Sequence, residues 1–507
     1  MENTDRITTE ARFLWQPWKL LFSDFPRVEY TSLEQSTQNF FGNMISSRGK
    51  FLREANRVNF IAWPMIVVTV SQFVLRLSPM FMLGHLSELS LSSASIAITF
   101  CNVTGFSVVF GMASALETLC GQAYGAEQYS QVGTYAYAAV VCLFMVCLPV
   151  SLLWIYTQKL LEFMGQDHLI SEEAGKFAVW LIPSLFPYAI LQSLTRYLQT
   201  QSLILPMLVS SVATLLINLP LCWAFVFKLK LGNTGAAVSI GLSYWINVIF
   251  LGFYVKYSCV CSQTRASFSK DVFGSFKDFF QYAIPSATMV CLEWWSFEIV
   301  SMFSGLLQNP QLEMSVLSIC MTITSLHFNI PYSFGAAAST RISNELGAGN
   351  PQAARVALQT ALILAVTEFI LAAIAISICG RVLGFVFTRE EELILYIQRM
   401  APLISLSIVM DSLQAILSGV ARGGGWQQIG AYVNLGSYYL VGIPVALVMG
   451  FVLHLNGKGL WIGLVIGAAV QCFLFSIVTY LTDWDKQATE ARHRIFEKTT
   501  PSQIEFI

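Results

Sequence analysis

The chain has 507 residues, of which 55% are hydrophobic and 12% charged, with a formal net charge of -1 and a mean hydropathy of +0.61. Soluble domains carry roughly 25% charged residues, so water is not the main solvent of this chain. A near-neutral balance without a clustered basic face also excludes nucleic acid as a partner.

A membrane span needs about 20 mostly apolar residues. Such runs recur near residues 58-80, 91-116, 131-155, 174-196, 203-226, 235-256, 279-306, 312-336, 353-379, 393-418, 427-451 and 458-481. They predict an all-α polytopic membrane protein of twelve transmembrane helices. Several runs contain Pro, Gly, Ser or Asn, tolerated where neighbouring helices or water satisfy the freed backbone groups, as in a cavity-lining bundle. Residues 1-57 show no cleavable signal peptide. Within the tail, residues 12-25 carry Trp15, Trp18, Lys19 and Phe22, which suits either a helix lying in the bilayer interface or a disordered tail. Lys and Arg accumulate on the cytoplasmic side. With the amino terminus inside, twenty of the 29 basic residues fall there, including Arg196, Arg341 and Arg422 in the inner loops. Both termini are therefore predicted to be cytoplasmic.

Three repeats occur in the same order in each half. Gln122-Ala-Tyr-Gly-Ala126 matches Asn344-Glu-Leu-Gly-Ala348; Ile182-Pro183 with Leu191-Gln-Ser-Leu194 matches Ala401-Pro402 with Met410-Asp-Ser-Leu413; Gly232-Asn-Thr-Gly235 matches Asn456-Gly-Lys-Gly459. Six spans per half is an even number, so the two six-helix lobes should be related by a pseudo-two-fold axis along the membrane normal. The expected organisation is a cytoplasmic tail (1-56), an N-lobe (57-256), an inter-lobe linker (257-277), a C-lobe (278-482) and a second cytoplasmic tail (483-507).

An ionisable group inside a span costs about 2.5 to 3.5 kcal/mol on insertion scales and should face protein or a wet cavity. The first half has Arg76 near the outer end of span one, and Glu117 and Arg196 near the inner surface; the second has Glu293, Glu298, Glu368 and Asp411. Ser407, Asp411, Gln414 and Ser418 share one helical face, as do Glu293, Ser286, Ser296 and Ser304, and Thr322, Ser325, Asn329 and Tyr332 form a third polar stripe. These stripes predict one hydrated pocket in the carboxyl half, where desolvation and a second carboxylate disfavour the charged form of each acid. A proton can then be held or released as access changes. The alternative is that Glu293 and Asp411 only brace helices. The candidate substrate pocket comprises Gln192, which occupies the position of Asp411 in the repeat, with Trp294, Ser325, Asn329, Tyr332, Ser407 and Gln414. Pro64 and Pro285 interrupt their helical ladders and are either hinges or fixed kinks. Arg341 and Glu345, one turn apart, either pair within their helix or latch across the halves, the first being favoured. Eleven cysteines without a CxxC read as packing residues, although Cys259 and Cys261 are placed where acylation would be an alternative.

The stretches 114-126, 291-298 (Cys-Leu-Glu-Trp-Trp-Ser-Phe-Glu), 339-351 (Ser-Thr-Arg-Ile-Ser-Asn-Glu-Leu-Gly-Ala-Gly-Asn-Pro) and 418-426 resemble the plant multidrug and toxic compound extrusion (MATE) transporters, also called DETOXIFICATION proteins. The resemblance runs from about residue 57 to 484. It implies a two-lobed twelve-helix fold and cation-coupled efflux of organic compounds, with proton coupling by a glutamate of the Leu-Glu-Trp-Trp segment and an aspartate of the Met-Asp-Ser-Leu segment. Those are Glu293 and Asp411. Bacterial relatives often carry a coupling aspartate in span one, and the matching stretch 75-84 has no acid.

The expected activity is proton-coupled antiport, by efflux or vacuolar sequestration, of compounds such as xenobiotics, alkaloids or flavonoids, with Na+ left open as the coupling ion. A channel would share the polar-lined spans but lack coupling. A major facilitator transporter would carry basic residues in 118-130, which has none. The five histidines are scattered singly, so neither an enzyme nor a metal site is expected. A small organic substrate and membrane lipid are the expected partners of a monomer in the plasma or vacuolar membrane, without a cofactor. Aromatic spans with few buried bases suit bulky amphipathic or cationic substrates better than small polyanions.

Overall fold

Inside a bilayer, backbone groups must be satisfied within the chain, which leaves helices or closed barrels. In the computed structural model, which describes residues 30–496 and their side chains from residue 49, every regular element is helical. The stretch 12-25 lies outside the described residues. The chain divides into two units, Met1–Arg53 and Glu54–Ile507, and the second holds the transmembrane core.

Each predicted span has its helix. The first six are α1 (Gly49–Gly84, the apolar part of a helix beginning at Tyr30), α2 (Glu88–Gly125), α3 (Tyr129–Ile155), α4 (His168–Thr200), α5 (Ile204–Lys228) and α6 (Gly232–Tyr257). The second six are α7 (Phe276–Ser304), α8 (Pro310–Gly347), α9 (Pro351–Phe387), α10 (Glu391–Gly424), α11 (Gln427–Val452) and α12 (Asn456–Leu481). Eleven of these are apolar enough to cross a membrane by composition alone. The exception, α7, is long enough at 29 residues but carries Glu293 and Glu298 in its middle. A final helix, α13 (Trp484–Phe496), lies in the stretch read from sequence as a tail.

The two lobes, α1–α6 and α7–α12, repeat one plan down to the backbone. Left-handed conformations occur at Glu127, Gly165, Ser202, Lys230 and Gly232 in the first lobe, and at Gly349, Gly425, His454 and Asn456 in the second. Apart from Gly165, they pair off in order. A π-helical stretch ends both α5 (Ala224–Lys228) and α11 (Val448–Val452).

On the side that carries Glu54 of α1 and helix α13, called the tail side below, the first sequence repeat packs against its own counterpart. A Cβ on Gly125 would stand 1.9 Å from the Asn344 carbonyl oxygen, and one on Gly347 would stand 2.0 Å from that of Gln122. The contact is reciprocal, as expected about a two-fold axis, and only glycine permits backbones this close. Gly347→Ala is therefore expected to destabilise the protein by about 1–3 kcal/mol through overpacking. Thermal unfolding in detergent should show a lower midpoint, while Gly252→Ala, whose Cβ would meet nothing within 4 Å, should leave it unchanged.

Pro64 and Pro285 both lie within helices that continue without a break.

Candidate functional site

The carboxylate of Glu293 is buried in the C-lobe and held by amides from three helices. Gln414 on α10 donates from Nε2 to Glu293 Oε2 at 2.6 Å, and Asn434 Nδ2 on α11 and Gln471 Nε2 on α12 reach the same oxygen at 3.4 Å each. These donors are themselves fixed. Tyr438 donates to Gln471 Oε1 at 2.8 Å, Gln471 to Asn434 Oδ1 at 2.8 Å, and Asn434 to the Met289 carbonyl at 2.7 Å. Gln414 also donates to Ser418 Oγ at 3.2 Å.

Asp411 stands on α10 one turn before Gln414, half-buried and without a hydrogen bond to any of the described residues. Its carboxylate is within electrostatic reach of Glu293. Among the described residues no Lys or Arg forms an ion pair with either acid; Arg422, which acts on Glu293 electrostatically, is paired with Glu117. Ser407, on the same face of α10, is buried and accepts from Trp461 Nε1 at 2.9 Å. The face 407-411-414-418 thus points into the lobe, as its spacing predicts.

The polar stripe of α8 goes elsewhere. Ser325 is exposed and Asn329 bonds its own helix, donating to the carbonyls of Ser325 and Leu326. Tyr332 accepts from Arg196 Nη2 at 2.7 Å. Trp294 stacks on Phe110 of α2 at 5.3 Å between ring centres, which places it at the contact between the lobes. Gln192 is buried in α4 of the first lobe. The structure therefore brings together Glu293, Asp411, Gln414 and Ser407, and leaves Gln192, Trp294, Ser325, Asn329 and Tyr332 outside that cluster. Glu298 is half-buried. Glu368 accepts from Ser412 at 3.2 Å and pairs with His327 Nε2 at 2.7 Å, tying α8 and α9 to the residue after Asp411.

Sequence reasoning missed two groups. One is Asn434, Tyr438 and Gln471, which are uncharged and so escaped a search for ionisable residues. The other is an ion cluster joining the lobes near the tail side. Glu117 on α2 has no exposed surface; its Oε2 accepts from Arg422 Nε of α10 at 3.0 Å, and its Oε1 lies 3.1 Å from Arg196 Nε of α4. The second contact is an ion pair whose angle is too poor for a hydrogen bond. Arg196 also donates to Gln199 Oε1 at 3.1 Å and lies 4.9 Å from the centre of the Phe110 ring. Arg196 and Arg422 were counted from sequence as basic residues of inner loops. That assignment is corrected: both lie inside helices, buried, with Glu117 as their counter-charge, and Arg341, counted with them, lies inside α8. Further out, Arg341 satisfies both readings at once, pairing with Glu345 in its own helix and with Glu54, from which Nε lies 2.6 Å, at the start of α1. All described cysteines are free, with Cys259 exposed and Cys261 buried.

A family model described as MatE matches residues 64–224 and 285–448, one segment in each lobe. The chain belongs to the MATE family. It is 52% identical to Protein DETOXIFICATION 14 of Arabidopsis thaliana over 468 residues, covering 91% of this chain and 96% of that protein, and 52% identical to Protein DETOXIFICATION 12 over 447 residues. The crystal structure of the eukaryotic MATE transporter AtDTX14 superposes with a TM-score of 0.85 at 53% identity, covering 88% of this chain and all of that one. An outward-facing multidrug resistance MATE family transporter of the MOP superfamily shares the fold at 16% identity and a TM-score of 0.75. This MATE protein is thus a multi-pass membrane transporter and not an enzyme.

Proposed function

We propose that this transporter is a proton-coupled antiporter that exports organic compounds from the cytosol, with Asp411 and Glu293 as the coupling pair. One observation carries the reading: two neighbouring carboxyl groups lie within the membrane-spanning C-lobe, Glu293 held by amides, and among the described residues no cation is paired to either. A charge in such a site is costly, two like charges costlier still, and the neutralising species that fits is a proton. Glu117, buried more deeply still, lies between two arginines and has no such need.

In the proposed cycle the tail side faces the cytosol and is closed in the state described above. A proton arriving from the opposite side binds at Asp411 and Glu293 and removes their mutual repulsion. The cradle of Gln414, Asn434 and Gln471 then loosens, the lobe rearranges, and bound substrate leaves. Opening of the tail side discharges the proton to the cytosol. Pro64 and Pro285 are the proposed bending points, and the plasma and vacuolar membranes both present an acidic compartment on the far side.

The test is uptake of a fluorescent organic cation into liposomes containing the purified protein, with an imposed pH gradient. Uptake should follow the acidic interior, collapse with a protonophore, and survive replacement of Na+ by choline. Uptake that ignores the pH gradient but follows Na+ would overturn the proton assignment.

A further inference from the structure

The N-lobe holds a cation that the cycle above does not use. Arg76 lies eight residues before the end of α1 at Gly84, about 12 Å along the helix at 1.5 Å per residue. It is half-buried and forms no ion pair or hydrogen bond among the described residues. The other deep charges of this lobe, Glu117 and Arg196, are paired with each other. A guanidinium cannot escape its charge by losing a proton, so an unmatched one inside a span calls for an anion.

The surroundings of Arg76 supply donors in the same state. Tyr188 of α4 and Tyr244 of α6 lie within its electrostatic reach. Their rings are buried, packed on each other at 5.3 Å and on Phe106 at 4.8 and 6.3 Å. Neither hydroxyl bonds to any of the described residues, and neither is closed off as the fully buried unpaired atoms are. Gln192 is one turn from Tyr188 on the same face of α4, buried and likewise without a bonded partner. The arrangement is rigid, because Asn218 of α5 donates to Ser78 Oγ at 2.8 Å and accepts from Ser243 Oγ at 2.9 Å, fixing the neighbours of Arg76 and Tyr244.

We propose that Arg76, Tyr188, Tyr244 and Gln192 form an anion subsite in the N-lobe that takes the carboxylate or phenolate of an aromatic substrate. This names a substrate class for the transport reading and rests on it. Arg76 donates only, and the Tyr188 and Tyr244 hydroxyls and the Gln192 amide can each turn a donor toward an oxyanion, while the rings of the two tyrosines favour a planar apolar body. The sequence-based preference for cationic over anionic cargo is thereby narrowed: the C-lobe carries the acids, and the N-lobe is built for the opposite charge.

Equilibrium binding to purified full-length protein in detergent tests this without any gradient, using radiolabelled 2-naphthoate and, as a matched cation, 2-naphthylmethylammonium. Arg76→Gln should weaken naphthoate binding about tenfold or more, the worth of a charge-assisted hydrogen bond. Arg76→Lys should keep it within about threefold, and the ammonium should bind Arg76→Gln as well as wild type or better. Should Arg76→Gln fail to fold, the Tyr188→Phe/Tyr244→Phe variant decides, with naphthoate weakened at least about threefold and the ammonium unchanged. Naphthoate that does not bind wild type, or binds the substituted proteins as it binds wild type, overturns the anion subsite. Gradient-driven transport by the C-lobe pair would stand or fall separately.

Discussion

Glu117→Gln is expected to be the most damaging single substitution in the transmembrane core, lowering stability by about 3–5 kcal/mol, the usual cost of leaving a buried charge without its partner. The carboxylate has no exposed surface, and each of its oxygens lies beside a different guanidinium, at 3.0 Å from Arg422 and 3.1 Å from Arg196. An amide keeps the shape but removes the only negative charge of the cluster, so two arginines would then repel each other in a medium with little screening. Their remaining contacts, Gln199 and the Tyr332 hydroxyl for Arg196 and the Tyr332 ring 5.9 Å from Arg422, offer no counter-charge. The expected result is a large drop in the thermal unfolding midpoint in detergent. Glu117→Gln/Arg422→Gln should recover part of the loss, because one orphaned charge is removed with its partner. An unfolding midpoint equal to wild type would show that the cluster does not hold the lobes together.

The second large effect is on activity. Glu293→Gln and Asp411→Asn are each expected to lower pH-gradient-driven uptake about tenfold or more, and the double variant to be no worse than either single one, since the two acids act as a unit. Stability should behave oppositely to Glu117. Glutamine at 293 still offers one carbonyl oxygen to Gln414, Asn434 and Gln471, and the substitution removes a desolvated charge next to another. The unfolding midpoint is therefore expected to hold or rise while transport falls. Retention of wild-type uptake in both single variants would remove the pair from the coupling mechanism.

The fold was legible because hydropathy reports what faces lipid, and the order of spans and breaks followed from it. It does not report what faces another helix. The apolar run of span eight ends near 336, yet α8 continues to Gly347 because Ser339, Thr340 and Ser343 are buried against protein. The same blindness hid α13, a charged helix with a narrow buried stripe: Trp484, Ala488, Ala491 and Ile495 pack inward, Arg494 donates to Gln122 Oε1 at 2.7 Å, and Trp426 donates to Gln487 Oε1 at 3.0 Å. Charge in an apolar run is a conspicuous signal, so Glu293 and Asp411 could be picked out and their helical faces derived from spacing. Amides in apolar runs are not conspicuous, and Asn434 and Gln471 were passed over. The Glu117 cluster draws on α2, α4 and α10, segments whose proximity no local pattern encodes. Basic residues at helix ends are counted alike whether they meet solvent or a buried carboxylate, which is how Arg196 and Arg422 came to be placed in loops.

Substrate-driven proton movement tests the coupling claim most directly. Liposomes holding the purified protein and a trapped pH-sensitive dye, with no gradient imposed, should report a proton flux opposite in direction to added organic substrate, and Asp411→Asn should abolish that flux while still binding substrate. Proton movement in Asp411→Asn and Glu293→Gln equal to wild type would contradict the assignment of coupling to the C-lobe carboxylates.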